Sequence, residues 1–391
     1  MSENDAAPVG SKAHLHRLDC LRAFAFLCVY ASHVAVHFRA GDVGYVGGWL
    51  KPVYSSPFQL LFVPIRFGWI GVAFFFVLSG FCIHYATLHR PERFSIADFY
   101  GRRFLRIYPA YIVAMLVYAS LHRLLPIPYF NGWNVVAHVF MVHNFLKATI
   151  FGIDGPLWSL AVEMQFYLLY PLLLALMRRW GGAERCLILG LALNVGMQLY
   201  LEFGKKAGFN PVSVGWCFPL VTWCDWILGV CLAEAYVHRR QLFRWETAWL
   251  ILSAGMLVAA FAFKILNAQA YLFGSVFFAV VMQRYLRVQT PLRLLERALV
   301  PVGVISYSLY LWHQPLLHLV NVWGKRWAFT HYPYGHLAWT FGISTVLTTL
   351  IGLASYRFLE VGAPRLIRRF MKRKHLQPPS LPGPAESPLF S

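Results

Sequence analysis

Acidic residues are scarce in this chain. Its 391 residues include 16 Asp and Glu against 35 Lys and Arg, and charged residues of both signs make up only 13%. That is too little charge to cover a water-soluble protein of this size, which excludes that class. Cysteine is also sparse, at seven, and no Cys/His spacing matches a zinc site. Cys217, Cys224 and Cys231 stand seven apart on one helix face, a spacing that suits packing. No internal repeat is visible. Residues 1–17 are polar, and the first apolar segment ends in His37, Phe38 and Arg39 without a small-residue cleavage pattern, so no cleavable signal peptide is expected.

What the sequence has in abundance is apolar length. Hydrophobic residues make up 58%. They come in runs almost free of charge, such as Ala23 to Val36, Ile70 to Ile83 and Leu250 to Phe263. A helix needs about 20 such residues to cross the hydrocarbon core. The runs predict ten spans, near 19–38, 66–88, 104–124, 156–178, 185–203, 213–237, 246–264, 269–285, 301–322 and 335–358. The stretch 133–146 is apolar but too short to cross, which suits a re-entrant or interfacial segment. The expected fold class is all-α, a polytopic membrane helix bundle of about ten transmembrane helices with both termini cytoplasmic. Residues 1–17 form a cytoplasmic tail, 18–370 the transmembrane domain, and 371–391, rich in Pro and Ser, a disordered cytoplasmic tail.

The formal charge of +19 invites a nucleic-acid partner, but its distribution argues against one. With the amino terminus inside, the inner side receives Arg17 and Arg22, then Arg102, Arg103 and Arg106, then Arg178 and Arg179, and finally Arg365, Arg368 and Arg369. Every inner connection is basic, as the positive-inside rule requires. The charge sets topology and attracts anionic membrane lipid.

Ionisable residues inside a membrane are costly and mark function by default. Asp225 and Glu234 in the sixth span carry no motif. Four other settings do more. In the first helix, Arg22 and His33 are eleven residues apart, which is three turns plus roughly 20°, so they share one face and stand about 16 Å apart along the axis. His33 near mid-membrane is either a general base or a histidine bonded to a neighbouring helix. Arg103 and Arg106 share a face by their i,i+3 spacing. They either present guanidinium forks to a phosphorylated cytosolic donor or anchor the third span. Pro156 suits a helix start and puts Glu163 two turns inside. There it holds His33 in one tautomer, bonds a sugar, or ties two helices. His313 is again mid-span beside Pro315, among aromatics able to stack on a sugar or line an acyl tunnel.

Together these settings resemble the acyltransferase 3 family of membrane O-acyltransferases over about Arg17 to Arg369. The family's Arg-x10-His pattern is matched by Arg22 and His33, and its Phe-Phe-x-x-Ser-Gly-Phe by Phe75 to Phe81. Arg103 and Arg106 match Arg-x-x-Arg. Trp158 to Glu163 match Trp-Ser-Leu-x-x-Glu, and Ser306 to His313 match Ser-Tyr-x-Leu-Tyr-x-x-His. One departure stands out. The family's last helix tends to end in Glu-x-Pro, whereas three residues separate Glu360 from Pro364, which puts a role for Glu360 in doubt.

The resemblance implies transfer of an acyl group, acetyl first, from cytosolic acyl-CoA to a sugar hydroxyl of a surface or secreted glycan such as a polysaccharide or lipopolysaccharide. His33 and Glu163 are then catalytic, and Arg22, Arg103 and Arg106 bind the coenzyme. Trp158, Tyr310 and His313 bind substrate. Neither a metal nor a permanently bound cofactor is expected, and the expected location is the cell inner (cytoplasmic) membrane. A proton-coupled transporter is the rival, with no repeat to favour it. An intramembrane serine protease fits less well, because Val77 stands where the first glycine of Gly-x-Ser-Gly belongs.

Overall fold

The computed structural model describes residues 12–37, 43–46, 49–52, 63–89, 94–121, 130–206, 215–288, 290–324, 333–367 and 369. The expected disordered tail at 371–391 lies outside the described residues, as does most of 1–17.

Each of the ten expected spans contains a helix. These are α1 (Lys12–His37), α3 (Gly71–Leu88), α4 (Ile96–Ser120), α6 (Leu157–Trp180), α7 (Ala183–Lys206), α8 (Pro219–Val237), α9 (Glu246–Ala262), α10 (Ala270–Leu286), α12 (Ser306–Gly324) and α13 (Pro333–Ser355). Three shorter helices connect them: α2 (Val63–Arg66), α5 (Gly132–Val139) and α11 (Leu294–Val304). The eight-residue α5 occupies the apolar stretch judged too short to cross. A two-stranded antiparallel hairpin, Val43–Val46 with Trp49–Pro52, departs from an all-α chain.

By length and apolar composition, six helices among the described residues suffice to cross a membrane. The number rises to seven if α11 and α12 form one span broken by a 75° bend. That bend is not in the sequence reading, which runs 301–322 as one helix. α9 is apolar but shorter, and α4 carries Asp98, Arg102, Arg103 and Arg106 in its first turns. Large apolar side chains face outward along the helices, among them Leu168, Leu172, Ile188, Ile251, Val258 and Leu350. Such a surface suits lipid. The protein is a multi-pass membrane protein.

Helices in lipid gain nothing from burying apolar surface against each other, so close packing decides how they cross. α3 and α8 cross through Gly80 and Gly229. A Cβ on Gly80 would lie 2.0 Å from the Trp226 carbonyl oxygen, and one on Gly229 would lie 2.0 Å from that of Val77. Only hydrogen fits there. The crossing brings Trp226 onto Ser79, the residue before Gly80, with the indole N–H donating to Ser79 Oγ at 3.3 Å.

In α12, Pro315 has no N–H for the Leu311 carbonyl. The Tyr118 hydroxyl of α4 donates to that carbonyl instead, so a buried backbone acceptor stays satisfied and α4 is tied to α12. After α13 the chain widens into an underwound π-helical segment, Tyr356–Gly362, which packs against α4.

Candidate active site

A cavity of about 120 Å³ opens among α1, α3, α4, α6 and α12. One water needs roughly 10–15 Å³ of such space, so the cavity has room for several waters. Its lining includes Arg22, Arg103, Arg106, Glu163 and Tyr310. Five of the residues singled out from sequence therefore meet in one place, although they come from four helices.

Each arginine is held differently. Arg22 donates to Asp19 Oδ1 at 2.6 Å and to Cys82 Sγ at 3.1 Å. Asp19 in turn is fixed by the backbone contact of α1 with Gly303 of α11, where a Cβ would lie 1.8 Å from the Asp19 carbonyl oxygen. Arg103 lies over the rings of Phe99 and Tyr167, 5.8 Å from each centroid. Ring faces attract a cation without neutralising it, so this guanidinium keeps its fork for an anion. Arg106 is half exposed, with Nε 3.9 Å from Glu360 Oε1.

Glu163 accepts a 2.5 Å hydrogen bond from the Tyr167 hydroxyl, four residues on in α6. Tyr167 is 3.3 Å from Ser79 Oγ. The donors run in one direction. Trp226 can only donate to Ser79, and Tyr167 donates to Glu163, so the Ser79 proton points at the Tyr167 oxygen. Ser79, Tyr167 and Glu360 were not singled out as site residues from the sequence. Ser79 stands inside the quoted Phe75–Phe81 motif, which was the available signal. Glu360 is buried, accepts from Ser308 at 3.1 Å and lies beside Arg106, behind the cavity lining.

His33 and His313 do not line this cavity. His33 Nδ1 is 2.8 Å from His313 Nε2, and His313 Nδ1 is 2.7 Å from the Tyr310 carbonyl oxygen. His33 is partly exposed and His313 fully buried. Glu163 is bonded to Tyr167 and not brought to His33. Tyr310 joins the two regions. It lines the cavity, its hydroxyl is 2.7 Å from Ser159 Oγ, and its ring centroid is 5.3 Å from that of His313. Trp158 is buried edge-on against Phe76 and Tyr271, outside the lining.

The two carboxylates left unassigned in α8 also lie elsewhere. Glu234 bonds His84 at 2.9 Å, and Asp225 is fully buried beside Cys224. No group of three metal-ligating side chains occurs among the described residues.

The arrangement combines an arginine-lined cavity, a row of hydroxyls and a paired imidazole, and residues 15–357 match the acyltransferase domain family. The chain belongs to that family. The family is one of acyltransferases, which move acyl groups other than amino-acyl groups. Nodulation protein 10 of Rhizobium leguminosarum bv. viciae is 27% identical over 392 residues, covering 93% of this chain and 97% of its own. O-acetyltransferase OatA of Staphylococcus aureus (strain NCTC 8325 / PS 47) is 23% identical over 379 residues, covering 90% of this chain and 57% of its own. Peptidoglycan O-acetyltransferase OatA of Listeria monocytogenes serovar 1/2a is 25% identical, covering 90% and 56%. The chain thus spans little more than half the length of these O-acetyltransferases. No solved structure matches it.

Proposed function

We propose that the protein transfers an acetyl group from cytosolic acetyl-CoA to a hydroxyl of a surface or secreted glycan. It does so as one transmembrane domain over residues 18–370, crossing the inner membrane ten times with both termini in the cytoplasm. One observation carries the reading. Arg22, Arg103 and Arg106 ring a cavity whose wall, Tyr310, touches the His33–His313 pair. Guanidinium forks suit the phosphates of the coenzyme. The pantetheine arm then carries the thioester from the arginines toward His33.

His33 Nε2 takes the acceptor's hydroxyl proton as the oxygen attacks the thioester carbonyl. A C–O bond forms, the tetrahedral intermediate collapses with loss of the C–S bond, and the coenzyme thiolate leaves and takes up the proton. Glu163 and its hydroxyl partners Tyr167 and Ser79 polarise the path between the two ends. The names of the peptidoglycan and other O-acetyltransferase relatives favour acetyl as the group and a glycan as the acceptor.

The test has two parts. Purified protein in nanodiscs should release coenzyme A from acetyl-CoA when a glycan acceptor is added, and His33→Ala should abolish this while accumulating normally. In cells, deletion should remove an O-acetyl ester signal from the glycan NMR spectrum. Full turnover by folded His33→Ala protein would remove the general-base role.

A further inference from the structure

The substrate-binding role expected of His313 does not account for its surroundings. Its side chain is fully buried, and the rings of Phe26, Tyr30 and Tyr310 close around it. What it does touch is His33. The two ring planes differ by 14° and their centroids are 5.0 Å apart. A nitrogen-to-nitrogen distance of 2.8 Å plus one ring radius on each side accounts for that spacing. The rings therefore meet edge to edge in nearly one plane, the geometry of an N–H···N hydrogen bond, and not face to face.

The direction of that bond follows from the other end. His313 Nδ1 lies 2.7 Å from the Tyr310 carbonyl oxygen, which can only accept. Nδ1 therefore carries a hydrogen. A charged imidazolium buried in this aromatic cage would be costly, so the ring is neutral and Nε2 keeps a lone pair. His33 Nδ1, facing that lone pair, must donate. A neutral His33 with its proton on Nδ1 has its lone pair on Nε2, directed away from His313. The partly exposed ring is the one left with a free base, and the buried ring is the one that fixes it.

We propose that His313 is a positioning residue, relaying the fixed direction of the Tyr310 carbonyl to His33 so that His33 Nε2 is held as the base. The inference rests on the reading of His33 as general base. It replaces the carboxylate that commonly orients a catalytic histidine by a second, neutral imidazole. No charge has to be buried to do so.

Three substitutions test it. In His313→Gln the side-chain carbonyl reaches the place of Nε2 and accepts from His33. In His313→Asn the amide stops at the place of Nδ1, and in His313→Leu nothing accepts. General-base catalysis contributes on the order of 10²–10⁴ in rate, which bounds what the loss of its orientation can cost. We expect kcat with acetyl-CoA and a glycan acceptor to fall about 10²-fold in His313→Leu and His313→Asn, with KM for acetyl-CoA within about threefold of wild type. His313→Gln should recover most of kcat.

Nitrogen-15 NMR of histidine-labelled protein reads the tautomer without any turnover. His33 should carry its proton on Nδ1 in wild type and His313→Gln, and lose that preference in His313→Leu. Wild-type kcat in His313→Leu, equal losses in the Gln and Asn variants, or a proton on His33 Nε2 in wild type would overturn the inference. The general-base reading fails separately, if His33→Ala still turns over.

Discussion

Glu360 Oε1 lies 3.9 Å from Nε of Arg106, while its other carboxylate oxygen accepts from Ser308. The two contacts differ in worth. Arg106 is half exposed, and an ion pair of that kind contributes about 0–1 kcal/mol. The Ser308 bond is buried, and leaving a buried partner unpaired costs about 1–3 kcal/mol. Glu360→Gln keeps an acceptor for Ser308 and should melt close to wild type in detergent. Glu360→Ala should melt several degrees lower. Equal melting of the two variants would mean that the Ser308 bond contributes nothing.

Arg103 should act mainly on donor binding. Its guanidinium rests on Phe99 and Tyr167, a placement that depends on a planar group. Arg103→Ala should raise KM for acetyl-CoA by about 10- to 100-fold, the equivalent of one charge-assisted hydrogen bond, with a smaller change in kcat and normal accumulation. Arg103→Lys should restore little, because an ammonium offers neither the fork nor the flat face. Exposed Arg102, next to it, makes the control. Arg102→Ala should leave KM unchanged. Loss of folded protein in Arg103→Ala, at unchanged KM, would make Arg103 an anchor of α4 instead.

These placements show what the sequence makes legible. Arg22, Arg103, Arg106 and Glu163 stand out because a charge in an apolar run is costly, and all four line the cavity. Helix periodicity puts Arg22 and His33 on one face but does not say which neighbour each one meets. Separated along α1, Arg22 reaches Cys82 of α3 and His33 reaches His313 of α12. Ser79 and Tyr167 are neutral, so their presence in an apolar run raises no alarm. Glu360 is obscured by its spacing. The spacing to Pro364 departs from Glu-x-Pro and puts its role in doubt, and the π-helical segment from Tyr356 to Gly362 gives a facing that a regular helical period does not predict.

The α3–α8 crossing should tolerate no side chain at Gly80. A Cβ there would meet a backbone carbonyl, which cannot swing aside as a flexible side chain would. Gly80→Ala should therefore cost at the upper end of the roughly 1–3 kcal/mol that overpacking costs, and it should move Ser79 away from Trp226. Gly255 in α9 has nothing within 4 Å of the same position. Gly255→Ala should melt at or slightly above wild type, since alanine is favoured over glycine in a helix by about 1 kcal/mol. Melting temperatures of the two purified variants check this. Similar melting would mean that α3 and α8 separate at little cost.

The Tyr167–Glu163 bond should appear as coupling between two substitutions. Tyr167→Phe removes the donor and leaves a carboxylate unpaired at the cavity wall. Glu163→Gln removes the charge and keeps an acceptor. If the 2.5 Å bond is what each residue contributes, the second substitution does little once the first is made. A double-mutant cycle on kcat/KM should then give a coupling energy of about 1.5–3 kcal/mol, the range for a hydrogen bond to a charged group. Ser79→Ala tests the direction of the relay. Its proton points toward Tyr167, so its loss should weaken the bond from Tyr167 to Glu163 and shrink the measured coupling without abolishing it. Additive effects of Tyr167→Phe and Glu163→Gln would mean that each residue acts on the substrate by itself. The carboxylate would then have to be assigned a direct contact with the acyl donor or the sugar, in place of a role through the tyrosine hydroxyl.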